Sequence, residues 1–134
     1  MIVVDTNLIG YLVIPGEQTE QAELVLIKDP EWVAPRLWRS ELRNVLALYL
    51  RQRLLGLEDA VAMMDRAERL MVGREGATPS LPILALAERS GCTAYDFEFV
   101  ALASELRVRL VTTDRQLVQA FSELAATPDQ FLNM

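Results

Sequence analysis

Short β-branched runs alternate along this chain with stretches in which apolar residues recur every three or four positions. Met1–Asp5 (MIVVD) is the first such run, a buried strand that ends at an acid. Thr6–Val13 is predicted as a helical turn broken by Pro15-Gly16. Helical spacing resumes over Glu17–Lys28, carried by Ala22, Leu24, Val25 and Ile27. Trp32–Ala34 is a brief second strand, and Pro35 opens a helix to about Arg53, proline being favoured in a first turn. Gly56 separates this from a helix running from Leu57 to about Val72. Gly73–Pro82 (GREGATPSLP) reads as loop, and a helix from about Ile83 is ended by Gly91. Thr93–Tyr95 is a third strand, Asp96–Leu106 a helix, Arg109–Thr113 a fourth strand and Arg115 to about Leu124 a helix. A last extended piece is placed near Gln130–Asn133. Strands alternating with helices imply an α/β fold, here three layers with a central parallel sheet of four to five strands. No repeat or linker interrupts it, so residues 1–134 are expected to form one domain.

Three acids stand where a predicted strand gives way to a helix: Asp5, Asp96 and Asp114. In open parallel sheets that edge is where ligand sites form. Aspartate is also a favoured N-cap, which explains any one of them singly. It explains the trio less well, because like charges on one edge repel unless something neutralises them, and Ser or Thr would cap without that cost.

Glu41 adds a fourth. At about 100° per residue, Leu37, Trp38, Leu42, Val45, Leu46, Leu48 and Tyr49 form one apolar arc, and Glu41 falls inside it. A solvated glutamate belongs on the opposite face with Arg36, Arg43 and Asn44. A capping box is excluded, since position 38 is Trp rather than Ser or Thr. An inward acid needs a partner, either an arginine or a metal.

Composition narrows the chemistry. The chain has no histidine and a single cysteine, Cys92. Histidine-based nucleophilic triads and ordinary zinc sites are therefore out, and the metals that fit are hard ions held by oxygen. One cysteine forms no internal disulfide and suits a reducing compartment. The first strand begins almost at Met1, so no signal peptide is expected, and no apolar run reaches the roughly 18–20 residues that span a bilayer. A cytoplasmic protein without membrane contact is the expectation. Four carboxylates of this kind suit one or two Mg²⁺ or Mn²⁺ ions, and phosphodiester hydrolysis is the reaction such a site serves.

The formal charge of -6 argues against nucleic acid, whose binding rests on phosphate neutralisation. Two divalent ions would move it to -2, since -6 + 4 = -2. Of the cationic residues only Lys28 is a lysine. Arg36, Arg39, Arg43 and Arg115 are candidates for holding flanking phosphates, with ordinary solvated charges as the plain alternative.

Four segments in order resemble one family. Asp5-Thr6-Asn7, Glu41-Leu42-Arg43-Asn44-Val45-Leu46, Ala94-Tyr95-Asp96 with Phe99-Val100-Ala101-Leu102-Ala103, and Leu110-Val111-Thr112-Thr113-Asp114 with Leu117 look like PIN domains. They are most similar to the VapC-type ribonuclease toxins of prokaryotic toxin–antitoxin pairs. The resemblance covers essentially the whole chain and implies that Asp5, Glu41, Asp96 and Asp114 are the metal-site acids. It makes Asn7 and Thr112 supporting polar residues and leaves Glu98 either lining the site or facing solvent. It further implies cleavage of RNA to a 5′-phosphate and a 3′-hydroxyl, a homodimer, and a cognate antitoxin lying near the helices after the second strand. The amphipathic Leu57–Val72 helix, with Met64 and Met71, is the candidate surface for that partner, against core packing as the default.

Three rivals stay open. A degenerate fold could bind RNA or protein without cutting. A metal site of this kind could act on DNA. A small-substrate phosphatase is disfavoured, because it usually places a second Asp two residues after the first and position 7 is Asn.

Overall fold

The computed structural model describes residues Met1–Met134. Five short strands form one parallel sheet: β1 (Ile2–Val4), β2 (Trp32–Pro35), β3 (Glu75–Gly76), β4 (Leu110–Val111) and β5 (Ala125–Ala126), in the order β3-β2-β1-β4-β5. Val3 is in register with Val33 on one side and Leu110 on the other, which puts β1 at the centre. Eight helices connect them: α1 (Thr6–Val13), α2 (Thr19–Lys28), α3 (Leu37–Arg51), α4 (Leu57–Leu70), α5 (Ser80–Arg89), α6 (Ala94–Leu106), α7 (Arg115–Ala120) and α8 (Pro128–Leu132). From β1 the chain steps outward to β2 and β3, then returns past β1 to β4 and β5. Right-handed crossovers therefore put α1–α4 on one face and α5–α7 on the other, giving the expected three layers.

The order reverses between β1 and β4. That topological switch point opens a crevice outside the strands' carboxyl ends. Asp5 ends β1 there and Thr112–Asp114 follow β4 there.

Helix α6 fixes the centre. Phe97, Phe99, Val100, Ala101, Leu102 and Ala103 are all buried, so the middle of the helix is apolar over most of its circumference and packs on β1, β2 and β4. Gly76 lets it approach the edge strand, because a Cβ there would stand 2.6 Å from Leu102 Cδ1.

Several expected boundaries move. Thr93–Tyr95 is not a strand: Thr93 is the N-cap of α6 and Asp96 sits in its first turn. Thr93 Oγ1 accepts from Asp96 N at 3.2 Å and Asp96 Oδ2 accepts from Thr93 N at 3.3 Å, a capping box built with Asp. Gly73–Pro82 is not all loop, since it carries β3 and the start of α5. Pro35 closes β2 rather than opening α3. The C-terminal extended piece lies earlier, as β5, and the residues assigned to it fall largely in α8, begun by a second capping box between Thr127 and Gln130. α7 stops at Ala120.

Candidate metal centre

One small cavity of about 110 Å³ gathers the four predicted acids. Asp5, Glu41, Asp96 and Asp114 line it together with Thr6, Asn7 and Thr112, and Phe99, Leu110 and Leu117 give it apolar walls. Water's share of liquid volume is about 30 Å³, so the space suits a cation with a few waters.

Asp5 is the most tightly held. As N-cap of α1 its Oδ1 accepts from Leu8 N at 2.9 Å. Its Oδ2 accepts from Thr112 Oγ1 at 2.8 Å, Thr113 N at 2.8 Å and Thr113 Oγ1 at 3.2 Å. Burial nonetheless outweighs these donors and pushes its carboxyl above the ordinary range. Thr112, only 1% exposed, also accepts from Asp114 N at 3.1 Å, so one hydroxyl ties the Asp5 side chain to the Asp114 backbone. Asp114 caps α7, its Oδ1 accepting from Gln116 N at 2.9 Å and Leu117 N at 3.3 Å.

Glu41 rises from α3 between the buried Trp38 and Leu42 and is half-buried. Its Oε1 accepts from Thr6 Oγ1 at 2.6 Å. Burial pushes its carboxyl up, the Thr6 hydroxyl opposes this, and the negative charges of Asp96, Asp5 and Glu98 push it further up. No arginine compensates it. The ion pairs of the chain lie elsewhere, at Met1–Asp29, Arg39–Glu68 and Arg39–Glu75. An arginine–glutamate pair on this helix does exist, but it belongs to Arg39 and Glu75.

The donor set fits a hard divalent ion: all oxygen, anionic, and without a cationic side chain among the lining residues. Glu41 Oε2, Asp96 Oδ1 and Asp114 Oδ2 accept no hydrogen bond from the protein, leaving one free oxygen on each. No three acids are drawn together into a ready-made cage. Three of them are anchored by one oxygen to a helix N-terminus.

The chain matches the family model of the PIN domain over residues 2–124. It belongs to the PIN domain family. It is also 32% identical over 126 residues to Ribonuclease VapC3 of Pyrobaculum aerophilum, an alignment covering 92% of this chain and 96% of that protein.

Within this PIN domain the supporting residues divide. Asn7 and Thr112 line the cavity, and Asn7 Nδ2 donates to Thr113 Oγ1 at 3.1 Å. Glu98 does not line it, although its charge bears on Glu41 and burial pushes its own carboxyl up. Arg36, Arg43 and Arg115 are exposed and unpaired. Arg39 must be withdrawn as a phosphate contact. Its Nε and Nη2 grip both oxygens of Glu75 at 2.7 and 3.1 Å, its Nη1 reaches Glu68 at 3.1 Å, and Trp38 Nε1 also donates to Glu75.

Sequence reasoning missed Thr6, Thr113 and Thr93. Thr6 was findable, because a buried glutamate with no arginine needs a hydroxyl and Thr6 adjoins Asp5 at the same sheet edge. Thr113 donates partly through its backbone, which no side-chain pattern reveals.

Proposed function

We propose that this chain is a divalent-metal-dependent endoribonuclease, with Asp5, Glu41, Asp96 and Asp114 as its metal-binding acids. One observation carries the reading: Glu41 is half-buried and has no cationic partner, yet shares a cavity with three more carboxylates. Removing charges from water without compensation is costly, and a cation is the compensation this donor set admits. The name of the VapC3 relative supports RNA as the substrate, and the family supports a divalent ion.

When bound, a Mg²⁺ or Mn²⁺ ion, or a pair of them, lowers the pKa of water and offsets charge building on the phosphate. The water oxygen bonds to phosphorus and gives one proton to solvent, the bond from phosphorus to the 3′ oxygen breaks with its electron pair going to that oxygen, and the 3′ oxygen takes a proton back from solvent. The products are a 5′-phosphate and a 3′-hydroxyl. Glu41 would hold the ion through its free Oε2, and the charge supplied there would offset the burial and like charge that push its carboxyl up in the metal-free chain. Thr6 fixes the other oxygen. Asp5, saturated with donors, is the fixed corner of the site.

The same reading makes the chain the toxin of a type II toxin–antitoxin pair, one PIN unit over 1–134, acting in the cytoplasm with a cognate antitoxin. No helix is long and apolar enough to cross a membrane. Helix α4 buries Ala60, Met64 and Ala67 but leaves Leu57 and Val61 exposed, which suits a partner's apolar helix. Helix α5 buries no residue and exposes Leu81 and Leu84, which suits a second copy in a homodimer.

The test is cleavage of single-stranded RNA with Mg²⁺ or Mn²⁺ by wild type and by Glu41→Gln, Asp96→Asn and Asp114→Asn. Each substitution is expected to cost orders of magnitude, and double variants little more, because the acids act as a unit. Expression of wild type is expected to slow bacterial growth while Asp96→Asn does not. Near-normal activity in a folded Glu41→Gln chain would reduce Glu41 to a structural residue and remove the argument built on it.

A further inference from the structure

Beside the acid cavity lies a much larger groove of about 510 Å³, lined from α1, α3 and the segments that follow each. The two share Thr6 and Asn7. Leu42, the residue after Glu41, lines the groove, while the four acids line only the smaller cavity. Gly10 leaves room beside it: a Cβ there would stand 3.4 Å from Leu42 Cδ1, in contact and filling the space. Tyr11 on α1 and Tyr49 on α3 both line it, and both are only partly buried. Neither phenol hydroxyl makes a hydrogen bond within the chain. Between Leu42 and Tyr49 the groove follows α3 for seven residues, about 10 Å at 1.5 Å each.

We propose that this groove seats an unpaired nucleobase of the RNA, the one attached to the nucleotide beside the cleaved phosphate. The proposal rests on the nuclease reading and names what that site selects. A phosphate held over the acids carries its base one sugar away, and the adjoining concavity is this apolar one. An unstacked base offers an apolar face to tyrosine and a polar edge to groups at the lip, where Asn7 and Gln18 stand. A paired base has its edge taken and its faces covered, so it does not enter. On the far side of the acids the surface changes character. A polar cleft of about 500 Å³ begins at Thr113 and carries Arg115, which suits the continuing phosphate backbone rather than a base.

The experiment compares two single-stranded probes of equal length and charge, oligo(A) and an abasic ribose-phosphate oligomer. Binding is measured in the Asp96→Asn chain, and cleavage of a randomised single-stranded RNA pool in wild type with Mn²⁺. Oligo(A) is expected to bind roughly 5- to 100-fold more tightly than the abasic oligomer, the range for one stacked base. Tyr49→Leu is expected to erase that difference without weakening the abasic oligomer, and to raise KM more than it lowers kcat. Leu54→Glu, at a position 65% exposed and so harmless to folding, is expected to act in the same direction. Equal binding of the two probes overturns the proposal. So does wild-type binding and cleavage by both variants, which would assign the groove to a protein partner. Base-dependent binding with no cleavage would leave the groove standing and remove the nuclease reading. Cleavage with no base dependence would do the reverse.

Discussion

Thr112 donates its hydroxyl to Asp5 Oδ2 at 2.8 Å across the junction of β1 and β4, the point where the strand order reverses. Thr112 Oγ1 in turn accepts from Asp114 N. A residue that is 1% exposed therefore sets the spacing of two acids that are 109 positions apart, 114 - 5. Valine keeps its shape and loses both bonds. Thr112→Val is expected to cost about 1–3 kcal/mol of stability, since Asp114 N loses its acceptor in a buried place. It is also expected to weaken divalent-ion binding by roughly 10- to 100-fold, as losses behind metal ligands do. Thr112→Ser should restore much of both. Calorimetric titration with Mn²⁺ checks this, and unchanged affinity in Thr112→Val would make the hydroxyl purely structural.

Asp5 differs from its neighbours in a way that bears on how variants are read. Both its oxygens already accept hydrogen bonds, so an amide nitrogen at either position would face an N–H donor, Leu8 N or Thr113 N. Asp5→Asn is thus expected to lose about 1–3 kcal/mol of stability. Glu41, Asp96 and Asp114 each have a free oxygen where an amide nitrogen can sit, so their carboxamides remove charge without that clash.

Much of this was legible. Alternation of short apolar runs with helical spacing gave the layers, and three acids near the sheet edge gave the crevice. Glu41 was visible because a charge inside an apolar arc conflicts with its own helix. What stayed hidden was local or long-range. Thr93-Ala94-Tyr95 carries strand-like residues, but Thr93 and Asp96 close a capping box that wins the segment for α6. Edge strands of two residues, such as β3, have too few positions to show alternation. Arg39 looked like its neighbours Arg36 and Arg43, and only the fold brings Glu75 to it.

That pairing yields a contrast between arginines. Arg39 and Glu75 join the first turn of α3 to the edge strand, and the arginine holds the Glu75 carboxyl below its ordinary range. Arg39→Met is expected to lower stability by about 1–2 kcal/mol and leave RNA affinity in a folded chain near wild type. Arg115→Ala should do the opposite, weakening RNA binding and lowering the slope of log affinity against log salt by about 1. An unchanged salt slope in Arg115→Ala would leave that residue a solvated surface charge.

Stability without metal should carry the mark of the raised acids. Burial lifts the carboxyls of Asp5 and Glu41, with like charge adding to it at Glu41. Between the ordinary carboxylate value of about 4 and each raised value, the folded chain holds more protons than the unfolded one. Stability contributed by these groups therefore falls as pH rises through that window, and the penalty is complete above it. Glu75 works the other way, since its contribution is present above the ordinary value and is lost as pH falls through its lowered one. Urea unfolding in EDTA from about pH 4 to 7 should show wild type losing ground to Glu41→Gln as pH rises. Parallel profiles would mean that Glu41 titrates normally in the fold.

A divalent ion should reverse that penalty. Bound only to the folded state, it adds RT ln(1 + [L]/Kd), about 1.4 kcal/mol at tenfold excess over Kd. For a chain of this length that is a rise of about 3–6 °C in melting temperature. The triple variant Glu41→Gln, Asp96→Asn, Asp114→Asn keeps the capping oxygens of Asp96 and Asp114 and the acceptor for Thr6, so its fold has no lost bond to repair. In EDTA it should melt above wild type, because the repulsion around Glu41 is gone. With Mg²⁺ or Mn²⁺ it should not move, while wild type rises. The two signs are independent, since one depends on charge removed and the other on charge supplied. Melts in EDTA, Ca²⁺, Mg²⁺ and Mn²⁺ read both. If no ion shifts wild type and the triple variant is the less stable chain in EDTA, the acids serve as caps and hydrogen-bond acceptors alone, and the metal-dependent reaction loses its site.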